Sequence, residues 1–246
     1  MKILLAPSET KKSGGELSFN PSNLLFETLT PHRIKLLHAY TNVIQQGDII
    51  ILSKMFGIKK EADILKYKKD IIHELTMKAI ERYTGVAFDY LDYVHLPTTA
   101  QNFIDENVIL FSNLFGPIKA SDLIPEYKLK QGEPVGDIKP EKFYREHSAN
   151  LIEAYLKDDE ILDLRAGFYN KFYKPSQPYT TLKFIKEGRV VSHWAKAYRG
   201  IVLHEIAKAQ IATLEEFMKI NIEKLTIEES IVKGIHTEVI YSISQN

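Results

Sequence analysis

The chain has 246 residues, 44% of them hydrophobic and 11% aromatic, with only 12 Gly and 10 Pro; that is enough to bury a sizeable core and excludes a disordered chain. It contains no Cys, which excludes a disulfide scaffold, a thiolate metal site and a cysteine nucleophile. Its 32 basic and 32 acidic residues sum to zero formal charge, so any attraction for a polyanion must come from a local basic face.

In chain order, Ile3 to Ala6 predicts a short buried strand and is too short an apolar run for a signal peptide. Pro7 to Pro21 follows as a long polar loop carrying Lys11-Lys12 and Gly14-Gly15. Residues 31 to 46 place Ile34, Leu37, Tyr40, Val43 and Ile44 at helical spacing, with Thr30 as the expected N-cap and Pro31 in the first turn. Val108 to Phe111 and Ile161 to Leu164 read as inner strands feeding polar loops. Leu182 to Ile185 and Val190 to Ala195 flank Lys186-Glu187-Gly188-Arg189 and predict a β-hairpin. Ala197 to Ala212 has helical periodicity, and Val239 to Ile243 alternates weakly, as a strand closing a sheet edge would. No stretch approaches the roughly 20 apolar residues that span a bilayer. These elements predict a single domain over 1–246, a mixed α/β (α+β) fold with a central mixed sheet flanked by helices, in a cytoplasmic protein without membrane contact.

The charges are unevenly spread. Nine Lys or Arg stand between Arg165 and Lys208 against Glu187 and Glu205, a local balance of +7, whereas 209–246 carries six Glu and three Lys. Such asymmetry can build a basic face on a neutral protein. The segment near 49–82 resembles a helix-hairpin-helix through Lys54, Phe56-Gly57-Ile58 and Lys59-Lys60, with Lys66, Lys68 and Lys69 beyond. A tight turn between two helices exposes backbone N–H groups and a positive helix end to phosphate, and flanking lysines add sequence-independent attraction. The second glycine usual in that motif is Lys59 here, and the competing reading is a helical turn with a solvated lysine face.

Several catalytic signatures are absent. His204-Glu205 begins like a zinc-protease helix, but Lys208 stands where the second His belongs. Ser8 to Gly15 lacks the residue order of a P-loop, and neither a Gly-x-Ser-x-Gly elbow nor a Gly-x-Gly-x-x-Gly turn occurs. No metal site and no cofactor are expected.

Taken together, Pro7-Ser8-Glu9-Thr10-Lys11, Ser112-Asn113-Leu114-Phe115-Gly116, Asp122 through Leu129, Leu162 through Tyr169, and Ala195-Lys196-Ala197-Tyr198-Arg199-Gly200 resemble the YaaA (DUF328, UPF0246) family in order and spacing across nearly the whole chain. Lys128 stands where many members carry Arg, and the hairpin centre diverges. The resemblance implies a fold particular to that family, a role in protection against hydrogen peroxide, and DNA binding through a helix-hairpin-helix beside a basic cleft.

Each of these motifs sets a polar or cationic group just after an apolar run: Lys11, Ser112, Arg165 and Lys196. Strand ends of one sheet often meet at a common rim where ligands bind. Lys11, Arg165, Lys196 and Arg199 are therefore expected around one cleft, with Ser112, Lys128 and Lys183 as further anion-binding candidates. Asp122, Asp163 and Glu9 can balance them, and if they do so pairwise the cations are structural ion pairs instead. Tyr83, Tyr90, Tyr93 and the cluster Tyr169, Phe172, Tyr173 can stack on unpaired bases or pack the core. His193 beside Trp194 is expected on a strand, packed rather than ligating. Two functions remain: a binder of duplex or distorted DNA with little sequence preference, or an enzyme acting on a phosphorylated, adenylated or carboxylated small molecule.

Overall fold

The structure, a computed structural model, describes residues 1–191 and 194–244. The first strand, β1 (Lys2–Leu5), buries Ile3, Leu4 and Leu5, as a strand covered on both faces must. The loop after it holds a two-residue strand, β2 (Leu17–Ser18), and leads to α1 (Thr30–Gln46). Leu29 rather than Thr30 takes the N-cap position of α1: Thr30 is already helical and its hydroxyl has no partner among the described residues. Leu36, Leu37, Tyr40, Val43 and Ile44 form the buried stripe of α1, which stops at Gly47 in the left-handed region.

Next come α2 (Ile49–Phe56), capped by the Asp48 carboxylate on the N–H groups of Ile50 and Ile51, and α3 (Glu61–Leu65). β3 (Leu75–Lys78), α4 (Ala79–Arg82), α5 (Val86–Leu91) and α6 (Thr98–Asn107) follow. Then β4 (Val108–Ser112), buried throughout, turns into β5 (Gly116–Lys119) and β6 (Leu123–Pro125). The second half of the chain runs α7 (Pro140–Leu156), β7 (Ile161–Asp163), β8 (Tyr179–Lys186), β9 (Arg189–Val190), α8 (Trp194–Ala209), α9 (Leu214–Phe217), β10 (Leu225–Lys233) and β11 (His236–Ile243).

Among the described residues the main sheet has the order β10-β11-β8-β7-β1-β4-β5, with β9 added on β8. From β11 to β4 neighbouring strands are parallel, and antiparallel β10 and β5 close the two sides. A small sheet, β2-β3-β6, lies apart. The mixed α/β single domain with helices around a central mixed sheet agrees with the expectation. Two expectations are corrected. The C-terminal strand is internal, because β10 pairs outside β11 and takes the edge. The second arm of the β-hairpin is only two residues long, since Trp194 already opens α8, which ends at Ala209 rather than at 212. His193 lies outside the described residues.

The chain passes from β1 to β4 on one side, and β7 then returns on the other side of β1 and continues outward to β8. The carboxyl ends of β1 and β7 are thus where the strand order reverses, the place at which an open α/β sheet leaves a crevice.

Candidate functional site

The loop after β1 is pinned from several sides. The Thr10 N–H donates to Ser8 Oγ at 3.2 Å, and Thr10 Oγ1 donates to the Thr84 carbonyl at 3.0 Å. Arg82, fully buried, donates through its three guanidinium nitrogens to the carbonyls of Lys12, Gly14, Leu75 and Ile124. Arg33 is buried in the same manner on the carbonyls of Leu25, Phe26, Phe115 and Pro117. Neither arginine stood out in the sequence, because a guanidinium satisfied by carbonyls needs no acidic residue nearby to mark it.

Lys11 Nζ donates to the Ser8 carbonyl at 3.1 Å and lies 3.9 Å from the ring centre of Tyr127 and 5.0 Å from that of Tyr83. Burial, with Lys128 nearby, pulls its ammonium well below the ordinary lysine range. Ser112 is buried; its Oγ accepts from the N–H groups of Leu114 and Phe115 and bonds the Tyr127 hydroxyl, which bonds Tyr83 in turn. Burial raises the Tyr127 phenol to about 12. Ser112 therefore closes the β4–β5 turn.

Arg165 is spoken for. Asp163 Oδ1 accepts from its backbone N–H and from Nε, Oδ2 accepts from Nη2 at 2.7 Å, and the guanidinium lies 4.3 Å from the ring centre of Phe111. Lys183 sits on β8, 3.8 Å from Glu238 of the adjacent strand and away from the crevice. Lys128 donates to the Glu9 carbonyl at 3.1 Å, while Glu9 Oε1 accepts from the Gln131 N–H at 3.0 Å.

A pocket of about 370 Å³ opens at the carboxyl ends of β1 and β7. Its walls are the segment Leu5 to Thr10, Leu164 and Ala166 on either side of Arg165, Tyr169, Gln131, residues 85–88 at the start of α5, and Lys196 and Arg199 of α8. Gly200 sets α8 against α5: a Cβ there would collide with the Ala87 carbonyl, so only glycine lets the two helices meet this closely. Arg199 has neither a hydrogen bond nor an ion pair among the described residues, and burial lowers its pKa while Asp163 opposes that effect. Both Asp163 oxygens are already engaged by Arg165. Lys196 and Arg199 thus line the pocket, Lys11 and Lys128 stand beside its Ser8–Glu9 wall, and Arg165, Ser112 and Lys183 are engaged elsewhere. The wall from Gly85 to Phe88 escaped the sequence reading; the glycine at 85, whose φ the structure places at +102°, was the one signal the sequence offered.

In the segment near 49–82, α2 ends at Gly57 in the left-handed region and a four-residue connection leads to α3, which is five residues long. Glu61 and Asp63 occupy the first turn of α3 and neutralise the positive helix end. Lys66 pairs with Asp63 at 2.6 Å, and Lys69 with Glu74 and Glu126 at 2.7 and 3.2 Å. Lys68 lies against Gly47, at the carbonyl end of α1. Lys54, Lys59 and Lys60 are exposed and have no ion-pair partner among the described residues. The Lys130 side chain packs on Gly57, its N–H donates to the Met55 carbonyl at 2.8 Å, and the next residue, Gln131, lines the pocket. Tyr83, Tyr93, Tyr169, Phe172 and Tyr173 are buried in the core, and Tyr90 is exposed. His204 donates from Nδ1 to the Leu91 carbonyl and helps join α8 to α5. Among the described residues no helix is long and apolar enough to cross a membrane.

The family described as Peroxide stress protein YaaA matches residues 1–231. An uncharacterized protein of Campylobacter jejuni is 42% identical over 244 residues, 99% of each chain. A UPF0246 protein of Corynebacterium glutamicum is 30% identical, covering 94% of this chain and 96% of its own, and one of Fusobacterium nucleatum is 27% identical, covering 94% and 95%.

Proposed function

The chain belongs to the YaaA family of peroxide stress proteins, and from that premise we propose that it serves peroxide protection by holding the phosphate backbone of duplex or distorted DNA. The observation that carries this reading is the set Lys54, Lys59 and Lys60, exposed, with no salt bridge among the described residues although Lys60 lies within electrostatic reach of Asp63, and joined through Lys130 and Gln131 to the pocket that Lys196 and Arg199 line. Free lysines on one surface release counterions when they meet phosphates, whatever the base sequence. The grip rests on these side chains rather than on the positive end of α3, which carries its own acids. Bidentate base contacts are not part of the reading, so little sequence preference follows.

Glutamate at 54, 59 and 60 together tests it in mobility shifts between 50 and 200 mM salt. Affinity is expected to fall on unrelated sequences alike, and neutral glutamines should make the salt slope shallower by about one per lost phosphate contact. A folded triple variant with the affinity and salt slope of the wild type assigns the hairpin to structure alone. The second reading, an enzyme acting on a phosphorylated, adenylated or carboxylated small molecule, draws its support from the half-buried Arg199 on the pocket wall.

A further inference from the structure

The pocket at the ends of β1 and β7 has a feature that backbone gripping does not require. Its innermost cation, Arg199, belongs to a cluster with one positive charge in excess: Arg165 and Asp163 cancel, and Arg199 is left over. Arg199 is half-buried and has no hydrogen bond or ion pair among the described residues, and a partly desolvated guanidinium in that position is stabilised by an anion that completes it. Lys196 stands one helical turn earlier on the same helix, and Ser8, whose hydroxyl bonds Thr10, also lines the pocket. The remaining lining is of a different kind: Phe88 and Tyr169 supply aromatic surface, and Glu9 supplies a carboxylate that accepts hydrogen bonds. About 370 Å³ lies at the small end of ligand pockets, roughly 300–1,000 Å³, enough for one small molecule.

The geometry points to a mononucleotide site: the phosphate of a single nucleotide on Arg199 and Lys196, its sugar or base against Phe88 and Tyr169, and its hydroxyl or amino donors toward Glu9. Arg199 presents a planar fork suited to two phosphate oxygens, whereas Lys196 adds a point charge at the mouth. The nucleotide is either free or an unstacked residue of a strand; in both cases the chemistry recognised is a phosphate joined to a nucleoside. The site rests on the pocket and is independent of the hairpin reading.

Thermal unfolding of the full chain tests it. Deoxynucleoside 5′-monophosphates at about 100 times the dissociation constant should raise the midpoint by several degrees. The parent nucleosides and inorganic phosphate should do much less. Arg199→Gln should abolish the rise and leave the ligand-free protein at least as stable, since a desolvated charge is gone; Lys196→Gln, at an exposed position, should weaken the nucleotide several-fold without affecting folding. No rise at millimolar monophosphate, an equal rise with inorganic phosphate alone, or an equal rise in both variants overturns the site. A duplex with one unpaired nucleotide that displaces the monophosphate identifies a strand as the source; a monophosphate that stays bound identifies the free nucleotide. The triple Lys54, Lys59 and Lys60 variant should keep the nucleotide-dependent rise, so loss of DNA affinity there and loss of the pocket are separate results.

Discussion

Four of the six arginines in this protein meet three different fates, and the difference is one of partners. Arg33 and Arg82 each satisfy their nitrogens on four backbone carbonyls, Arg165 chelates Asp163, and Arg199 faces the pocket unpaired among the described residues. Arg82 ties Lys12 and Gly14 to the β3–β6 sheet, and so holds the loop whose earlier residues form the pocket wall. Arg82→Met removes all these donors at once and strands buried carbonyls, at a cost of roughly 3 kcal/mol or more. The variant should melt several degrees lower and be cut faster by protease within residues 11–16. Lysine should not rescue it, because one ammonium cannot reproduce the geometry of a fork. A variant that melts with the wild type and keeps its protease resistance would show that the loop holds without this residue.

At the level of elements, the contact between α5 and α8 decides where the pocket cations stand. Gly200→Ala should push α8 away from the Ala87 carbonyl, destabilise the protein by roughly 1–3 kcal/mol, and weaken any ligand held by Lys196 and Arg199. Denaturant unfolding measures the first effect and ligand-dependent melting the second; an unchanged unfolding midpoint would mean that the helices separate at no cost. The pairing of α1 with α7 is expected to respond to pH. His32 stacks on His147 with ring centres 3.8 Å apart and meets the edge of Phe143, and burial, then His147 and Lys35, lower its pKa. A histidine whose folded pKa is depressed stabilises the fold above its unfolded value, 6.5, and that stability is lost as pH falls through the lower folded value. The midpoint should therefore drop from pH 7.5 to pH 5, and His32→Asn should flatten that slope. The same slope in both proteins would place the pH response elsewhere.

Over the whole molecule, zero net charge conceals a division of labour among the nine cations between Arg165 and Lys208. Arg165 and Lys183 are neutralised by Asp163 and Glu238, and Lys171 lies 4.9 Å from the ring centre of Phe168. Of the rest, Lys196 and Arg199 line the pocket. The sequence was sufficient for the inner strands, because Ile3 to Ala6, Val108 to Phe111 and Ile161 to Leu164 are apolar without interruption and such runs are stable only when covered on both faces. It was sufficient for α1, whose apolar spacing matches the helical repeat, and for the family, whose motifs keep their order along the chain. Of the polar groups the sequence placed after apolar runs, Lys196 lines the pocket, though from a helix rather than from a strand end. It did not say which of those groups are free. Whether Arg165 is a ligand or a chelated ion, whether Lys11 reaches solvent or lies against Tyr127, and whether β11 is edge or interior depend on contacts between distant parts of the chain, such as Arg82 with Lys12, 70 residues apart. Periodicity reports which face of an element is buried. It carries no information about which partner waits on that face, and it is the partner that decides whether a charge is spent on the fold or left for a ligand.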